Sequence, residues 1–353
     1  MSGAARRLLQ IRPPGSGGVR DYADCLQARW QRLGVDSEVM ELAQDAARRG
    51  ALADRLGDTD RGPWSVVLHY SGYGYGRRGL CFWLLDELDA LRRRLGGRLR
   101  LVVVFHELYA SGPPWRSAFW LSPLQARIAR ALARRADGLW TNADDHAVRL
   151  APSVRSAEAV QVWPVFSNVG EPDAAGPPAG ARAPRAIVFG AGSTRQRVFD
   201  ALHGKEALLA RLGLVEIVEV GPGPASAGAP ATVAGRHAGR LEAPALSRLL
   251  LESRWGLLDY PAPLLGKSSV FAAYAAHGCA VIDTRPPGPD ADGLQAGRDY
   301  LALRALAQGH APCATATAAL GQSARRWYDG HRLERQAAAL LRLAGIDLDR
   351  APA

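Results

Sequence analysis

The chain is poor in cysteine and has no long apolar run, and each shortage excludes a class of protein. Its cysteines are far apart, with no Cys-x-x-Cys pair: they are Cys25, Cys81, Cys279 and Cys313. This spacing argues against a zinc site or a disulfide framework and favours a reducing cytoplasm. No stretch approaches the ~20 apolar residues of a membrane span, and the apolar part of 1–14 is too short for a signal peptide. We therefore expect a protein that is neither secreted nor membrane-spanning.

Lysine is almost absent as well. Lys205 and Lys267 are the two lysines within a Lys+Arg total of 44, and the formal net charge of the 353 residues is +10. Lys267 stands before a predicted helix, where a compact ammonium suits a phosphate; a surface lysine without a role is the alternative. Because no nucleic-acid motif accompanies the charge, we expect contact with an anionic membrane surface rather than nucleic acid. Solvated, arginine-rich helix faces would give the same excess of charge.

Short runs rich in Val, Ile and Leu alternate with helix-like segments along the chain. The predicted strands are Leu8–Ile11, Ser37–Leu42, Ser65–His69, Leu101–His106, Gly138–Thr141, Val160–Trp163, Ala186–Phe189, Leu214–Val220, Trp255–Asp259 and Ala280–Asp283. This alternation predicts parallel sheets built from βαβ units. Because the chain is long for one core, we expect an α/β protein with two doubly wound, Rossmann-like domains that face each other across a cleft.

Composition also suggests where the domains begin and end. Residues 170–184 consist mainly of Gly, Pro and Ala, which is typical of a linker. We predict a first domain over 1–172, a linker over 173–184 and a second domain over 185–325. The last segment, 326–353, is predicted to be a C-terminal helix that crosses back to the first domain.

Two loops of glycine, serine and lysine precede predicted helices. The first contains Gly17 and Gly18, and the second contains Gly266, Lys267, Ser268 and Ser269. Backbone N–H groups and the helix dipole can bind a phosphate at such a point, although a structural tight turn is the alternative for the first loop. Pro261 stands where a Walker A loop needs its first glycine, so an ATPase is rejected.

A third loop follows the predicted strand Ala186–Phe189. It contains the first two glycines of a dinucleotide fingerprint, but Arg195 occupies the position of the third, which argues against a nicotinamide cofactor. Gly192 instead opens a helix, and Arg195 and Arg197 offer bidentate donors to a diphosphate.

A histidine and three aromatic residues follow strands of the first half. His106 ends a predicted strand and can orient a sugar hydroxyl or stabilise charge; a structural histidine is the alternative. Tyr73 and Tyr75 alternate with glycines, and Trp115 follows a Gly-Pro-Pro turn. Aromatic faces stack on sugar rings or on lipid, so these three are candidate acceptor contacts, with packing of the loops on the core as the alternative.

These motifs together resemble the retaining, GT-B-fold glycosyltransferases of the family 4 type, over nearly the full chain. The resemblance is carried by Gly17-Gly18 with Tyr22-Ala23 and Leu26, by Phe105-His106-Glu107, by the restart at 186–197 and by 275–282. It implies transfer of a sugar, with retention, from a nucleoside diphosphate donor to a glycan or glycolipid acceptor in bacterial surface polysaccharide assembly. It also implies no metal and no cofactor, because the nucleotide sugar is a substrate.

The resemblance assigns roles by position. The first domain would be the acceptor side and the second would bind the nucleotide sugar. Catalytic roles fall on His106, Arg195 and Lys267, and donor contacts on Gly17, Gly18, Gly192, Arg197, Gly266, Ser268 and Ser269. The family's two glutamates would fall on Leu265 and Ala273, neither of which is acidic. A non-catalytic sugar-nucleotide-binding or assembly protein on the same fold is therefore the alternative function.

Overall fold

The computed structural model describes residues 6–44, 50–56, 62–110, 115, 117–154, 160–172, 176–309 and 312–347. The start of the predicted linker, 173–175, and the end of the predicted C-terminal segment, 348–353, lie outside these residues. The chain divides into two compact units, one comprising Met1–Trp163 with Leu333–Ala353 and the other Pro164–Arg332. Within the described parts of the chain, no helix has the length and apolarity needed to cross a membrane.

The first unit is a parallel sheet covered by helices. Its elements are β1 (Arg7–Arg12), α1 (Gly18–Arg32), β2 (Ser37–Glu41), α2 (Ala51–Leu56), β3 (Trp64–Tyr70), α3 (Gly72–Tyr75), α4 (Phe82–Leu95), β4 (Leu99–Phe105), α5 (Ser117–Arg135), β5 (Gly138–Thr141), α6 (Asp144–Leu150) and β6 (Val160–Val162). The six strands lie in the order β2-β1-β3-β4-β5-β6 and every neighbouring pair is parallel. All seven residues of β3 are buried, as expected where helices cover both faces of a sheet.

The second unit repeats this design. Its elements are β7 (Ala183–Phe189), α7 (Gly192–Leu202), α8 (Glu206–Arg211), β8 (Glu216–Val220), β9 (Ala234–His237), α9 (Ala243–Glu252), β10 (Ser253–Leu258), α10 (Ser269–Ala276), β11 (Ala280–Asp283), β12 (Leu301–Ala302), α11 (Leu303–Gln308) and α12 (Ala314–Asp329). The strand order is β12-β11-β10-β7-β8-β9, again parallel throughout. The prediction of two doubly wound parallel sheets is confirmed.

Two strands of the second unit were not predicted. β9 has the sequence Ala-Gly-Arg-His and is largely exposed, so it carries no apolar signal. β12 is two residues long and pairs with β11. Both are edge strands of the sheet. An edge strand can pair with its neighbour without burying apolar side chains on both faces, so a hydrophobic pattern alone does not identify it.

The predicted linker and C-terminal helix need correction. Residues 176–184 belong to the second unit, because buried Arg182 donates from Nη1 to the carbonyls of His277 and Gly278 at 2.9 and 3.0 Å. The C-terminal segment is two helices rather than one. α12 ends at Asp329, and a turn over 330–332 precedes α13 (Leu333–Leu343).

Helix α13 packs within the first unit against α1. Trp30 Nε1 donates to the Ala337 carbonyl at 3.0 Å, and the Tyr22 hydroxyl donates to Gln336 Oε1 at 2.8 Å. These side chains are buried, so the contacts satisfy polar groups that water does not reach. The amphipathic pattern of 324–343 therefore reflects two helices that bury their faces in different units.

Candidate functional site

A pocket of ≈ 230 Å³ opens in the second unit at the carboxyl ends of β7 and β10. These two strands are neighbours, and the strand order reverses between them. In open parallel sheets, ligands bind at this reversal because helices leave the two strands on opposite faces and open a crevice. The pocket is lined by Val188–Ala191, Thr194, Arg195, Arg197, Val198, Leu257–Tyr260 and Lys267–Val270.

The start of α10 forms one wall of this pocket. Ser268 caps the helix: the Phe271 N–H donates to Ser268 Oγ at 3.1 Å. Ser269 and Val270 follow in the first turn, whose N–H groups have no partners within the helix. Lys267 lines the same wall. Its positive charge adds to the positive end of the helix dipole, so this wall favours an anion.

Asp259, which also lines the pocket, joins two arginines. Its Oδ1 accepts from Arg197 Nε at 2.7 Å and from Arg285 Nη2 at 3.2 Å, and its Oδ2 accepts from Thr284 Oγ1 at 3.0 Å. Burial raises the pKa of Asp259, but these hydrogen bonds outweigh burial and hold the pKa below its ordinary value. Two guanidinium groups thus share one carboxylate, and the cluster retains positive charge beside the pocket.

A second carboxyl group, that of Asp283, lies next to this cluster. Asp283 is fully buried at the end of β11, and its Oδ1 accepts from the N–H groups of Tyr260 and Arg285 at 3.2 and 3.0 Å. Within the part of the chain that the structure describes, its Oδ2 has no hydrogen-bond partner. Burial raises the pKa of Asp283 to about 7, with a smaller contribution from the negative charge of Asp259.

The predicted diphosphate role of Arg195 does not fit the geometry. Its side chain is fully buried, and Nε donates to Glu219 Oε1 at 2.6 Å. The two terminal nitrogens donate to backbone carbonyls, Nη1 to Gly190 at 2.6 Å and Nη2 to Pro222 and Pro224 at 3.0 and 3.2 Å. Because these partners occupy all three nitrogens, Arg195 holds together the loops that follow β7 and β8.

Two glycines predicted to contact the donor differ in how much space surrounds them. Gly192 begins α7 at an exposed position, where an added Cβ would have 3.9 Å to its nearest neighbour. Gly266 is buried, and a Cβ there would come within 2.5 Å of Asp292 Oδ2. The geometry therefore explains Gly266 by close packing. The glycine that the pocket itself requires is Gly190, whose φ of +129 is unfavourable for other residues.

Gly17 and Gly18 lie in the first unit at the start of α1. Gly17 is the N-cap, with φ of 125, and Gly18 is the first helical residue. They follow β1, next to the point where the first sheet's strand order reverses between β1 and β3. Both are exposed. This helix start has the geometry of an anion site, and its predicted contact with the donor phosphate stays a prediction.

His106 belongs to a chain of buried hydrogen bonds. His69 Nδ1 lies 3.0 Å from His106 Nε2, and His69 Nε2 lies 2.8 Å from Gln10 Oε1. The Gln10 amide nitrogen donates to the Ala23 carbonyl at 3.3 Å and to Gln27 Oε1 at 2.9 Å. Because a backbone carbonyl only accepts, the amide of Gln10 has one possible orientation, with its oxygen toward His69.

This orientation fixes the protons on both histidines. Gln10 Oε1 accepts, so His69 carries its proton on Nε2. Burial lowers the pKa of His69 to about 3, with a smaller effect from Arg12, so the ring is neutral and Nδ1 accepts. His106 therefore donates from Nε2, and its neutral form presents Nδ1 as an acceptor. The sequence identified His106 but not His69, which lies inside a strand and gives no signal of its own.

The three predicted acceptor contacts have different surroundings. Tyr75 is buried, and its hydroxyl donates to the His69 carbonyl at 3.0 Å. It packs in the core, and the predicted acceptor role is wrong because its ring has no exposed face. Tyr73 and Trp115 are exposed, and their acceptor role stays a prediction.

The sequence also missed three polar residues of the pocket cluster. Asp259 and Asp283 each end a predicted strand, and Arg285 follows two residues later. Position at a strand end was the available signal. It did not show that these groups lie together, because β10 and β11 become neighbours only in the sheet.

No protein-family model matches the chain, and no curated protein matches it significantly in sequence. Solved structures do match. A trehalose-phosphate synthase from Burkholderia vietnamiensis gives a TM-score of 0.62 at 13% identity, covering 97% of this chain and 99% of that one. The chain has the GT-B fold of glycosyltransferases.

Two other GT-B structures match over similar lengths. HepE from Anabaena, solved with UDP-glucose, gives a TM-score of 0.57 at 13% identity and covers 95% of this chain and 99% of its own. An alpha-glucosyltransferase solved with UDP-glucose and DNA gives 0.51 at 12% identity, with 92% and 95% covered. At these identities the similarity concerns the fold, and the site must be argued from this chain's own residues.

Proposed function

We propose that the protein transfers a sugar, with retention, from a nucleoside diphosphate donor to a glycan or glycolipid acceptor. The proposed setting is bacterial surface polysaccharide assembly in the cytoplasm, at the inner face of the membrane. The observation that carries the proposal is the pocket of the second unit, where Lys267 and the start of α10 meet the Arg197–Asp259 cluster. Of the named GT-B neighbours, HepE and the alpha-glucosyltransferase were solved with UDP-glucose, which makes UDP-sugars the first donors to test.

The pocket's charges suit a leaving diphosphate. Negative charge develops on the diphosphate as the sugar–oxygen bond breaks, and fixed positive groups stabilise that transition state without reorganising. Lys267 and the first-turn N–H groups of α10 supply this charge from one wall. Arg197, which also lines the pocket, supplies positive charge as well, since a diphosphate can accept from the guanidinium nitrogens that Asp259 does not bind.

The two positions matching the family's glutamates are packed in the core. Leu265 and Ala273 are 1% and 0% exposed, so neither contributes a polar contact to a donor. The proposed reaction therefore depends on stabilising the leaving group rather than on a carboxylate at either position. The same lack of acidic side chains at these two positions is the reason for the rival function, a protein that binds sugar nucleotides without turnover.

Thermal unfolding with UDP, GDP, dTDP, ADP and NADH tests the binding part of the proposal. A ligand that binds only the folded state stabilises it by about 2.7 kcal/mol at 100 times its dissociation constant. We expect one nucleoside diphosphate to raise the unfolding temperature and NADH to have no effect. Absence of a shift with every diphosphate, in folded protein, would contradict the proposal. Binding without release of the nucleotide from its sugar, tried with a panel of acceptors, would favour the rival.

Lys267→Ala tests the site. A hydrogen bond to a charged group contributes about 1.5–3 kcal/mol, so we expect binding of the diphosphate to weaken about 10- to 100-fold. Lys205→Ala is a matched control, because Lys205 is the other lysine of the chain and lies at the start of α8, outside the pocket lining. Equal affinities for the wild type and the Lys267 variant would remove this lysine from the site.

A further inference from the structure

Exposed large apolar side chains concentrate on one part of the first unit. Trp115 and Trp120 are 83% and 70% exposed, and Phe119 and Leu124 are each 41% exposed. Three of these four lie in the first half of α5. Clustered exposed aromatic residues of this size mark a contact surface, whereas single exposed apolar residues are ordinary.

Other side chains of α5 pack in the core of the first unit. The opposite side of α5 supplies the contacts with the core, where Ile128, Ala129 and Leu132 are buried. Helix α5 is thus held in place by its inner face. Phe119 and Trp120 contact each other edge to face, with ring centroids 5.5 Å apart, and both remain exposed to solvent.

Buried Gln125 fixes the neighbours of this helix. Its amide nitrogen donates to the Arg78 carbonyl at 2.7 Å and to the Tyr73 hydroxyl at 3.3 Å. Its amide oxygen accepts from the Ala110 N–H at 2.8 Å. Gln125 thus holds the segment that carries Tyr73 and Arg78 against α5.

The charged residues of α5 itself have one sign. No Asp or Glu occurs between Glu107 and Asp137. Arg127, Arg130 and Arg134 are exposed on α5. They follow Leu124 at intervals of three or four residues, which places them along the same side of the helix. The outer side of α5 therefore carries aromatic side chains at its start and guanidinium groups along the rest.

We propose that this surface, formed by Trp115, Phe119, Trp120, Leu124, Arg127 and Arg130, docks the protein on an anionic lipid bilayer. Trp and Phe prefer the boundary between headgroups and acyl chains, and arginines on the same helix bind lipid phosphates. Charge complementarity selects this occupant, because the charged residues on this side of α5 are exposed arginines. The proposal specifies the membrane contact of the proposed function, but it does not require sugar transfer.

Co-sedimentation with sucrose-loaded vesicles tests the proposal on the full chain. The vesicles contain either phosphatidylcholine alone or phosphatidylcholine with phosphatidylglycerol. We expect sedimentation with the anionic vesicles, at least tenfold weaker sedimentation with the neutral ones, and loss of binding as salt is raised. No binding to anionic vesicles, or equal binding to both kinds, would overturn the proposal.

Paired variants locate the contact. Trp115→Ser with Trp120→Ser, and separately Arg127→Glu with Arg130→Glu, should each weaken binding to anionic vesicles at least tenfold.

Two control pairs carry the same kinds of change elsewhere on exposed positions. They are Val148→Ser with Val215→Ser, and Arg248→Glu with Arg304→Glu. The controls should bind like the wild type, and a loss as large as in the test variants would overturn the assignment of the surface. If the tryptophan variant instead converts an oligomer to a monomer and vesicle binding is absent, the surface belongs between copies of this chain. Stabilisation by a nucleoside diphosphate should be the same in all these variants, so failure of docking is distinguishable from failure of the proposed function.

Discussion

Replacing the buried carboxyl group of Asp283 by an amide should make the protein more stable at high pH. Burial raises the pKa of Asp283 to about 7 in the folded chain, whereas an unfolded aspartate has a pKa of about 3.9. The folded state therefore binds the proton more tightly. This tighter binding of the proton contributes folding stability that is fully present below pH 4 and is lost as the pH rises through 7.

The magnitude follows from the two pKa values. The folded and unfolded pKa values of Asp283 differ by about three units, which corresponds to about 4 kcal/mol in the free energy of unfolding, at 1.36 kcal/mol per unit. Asp283→Asn keeps the oxygen that accepts from Tyr260 and Arg285 and replaces the Oδ2 atom, for which the described residues provide no hydrogen bond. We expect the variant and the wild type to have similar stability at pH 4. At pH 8 the variant should be more stable by an amount on the order of 4 kcal/mol.

Urea denaturation from pH 4 to pH 8 measures this difference. Asp259→Asn provides a contrast of opposite sign, because the pKa of Asp259 is lowered and its charge is paired with Arg197 and Arg285. That variant should lose stability at neutral pH and approach the wild type in acid. Parallel pH profiles for the wild type and Asp283→Asn would refute the argument, because they would mean that the buried carboxyl group ionises with an ordinary pKa.

Three further predictions concern single side chains. Arg195→Met should lower the free energy of unfolding, measured by urea denaturation, by about 3 kcal/mol, because the buried Glu219 carboxylate loses its guanidinium partner and keeps only the hydrogen bonds from Ser226. Loss of diphosphate binding at wild-type stability would restore Arg195 as a ligand. Ser268→Ala should cost about 1 kcal/mol through loss of the α10 cap, while Ser269→Ala should not, and equal denaturation midpoints for both would contradict the capping role. Nitrogen-15 NMR at neutral pH should show the proton of His106 on Nε2, and a proton on Nδ1 would show that the order of donors in the buried chain is reversed.

Much of the fold could be predicted because parallel strands bury both faces. Continuous apolar runs such as Leu101–Phe105 identify a strand locally, and glycine loops after the strands identify the helix starts. β9 could not be predicted, because Ala234–His237 is stabilised by backbone pairing with β8 at an exposed edge. The break before α13 was hidden for a related reason. Two amphipathic helices in sequence share one pattern even when they bury their apolar faces in different units.

The site shows the same division. The helix start at Lys267 and Ser268 was predictable, because a helix start and its dipole are local properties of a short segment. The role of Arg195 was not, since a guanidinium offered to a diphosphate and one buried against Glu219 have the same local sequence. The group that Arg195 binds depends on which loops the sheet brings together.

The sequence by itself determined the two parallel sheets, the positions of the strand ends and the chemistry available there, because backbone conformation and burial pattern are set over a few residues. Tertiary structure decided which of these groups act together. Asp259, Asp283 and Arg285 form one cluster because β10 and β11 pair, and His69 orients His106 because β3 and β4 pair. Such contacts join residues far apart in the chain, and their energies exist only once the strands are adjacent.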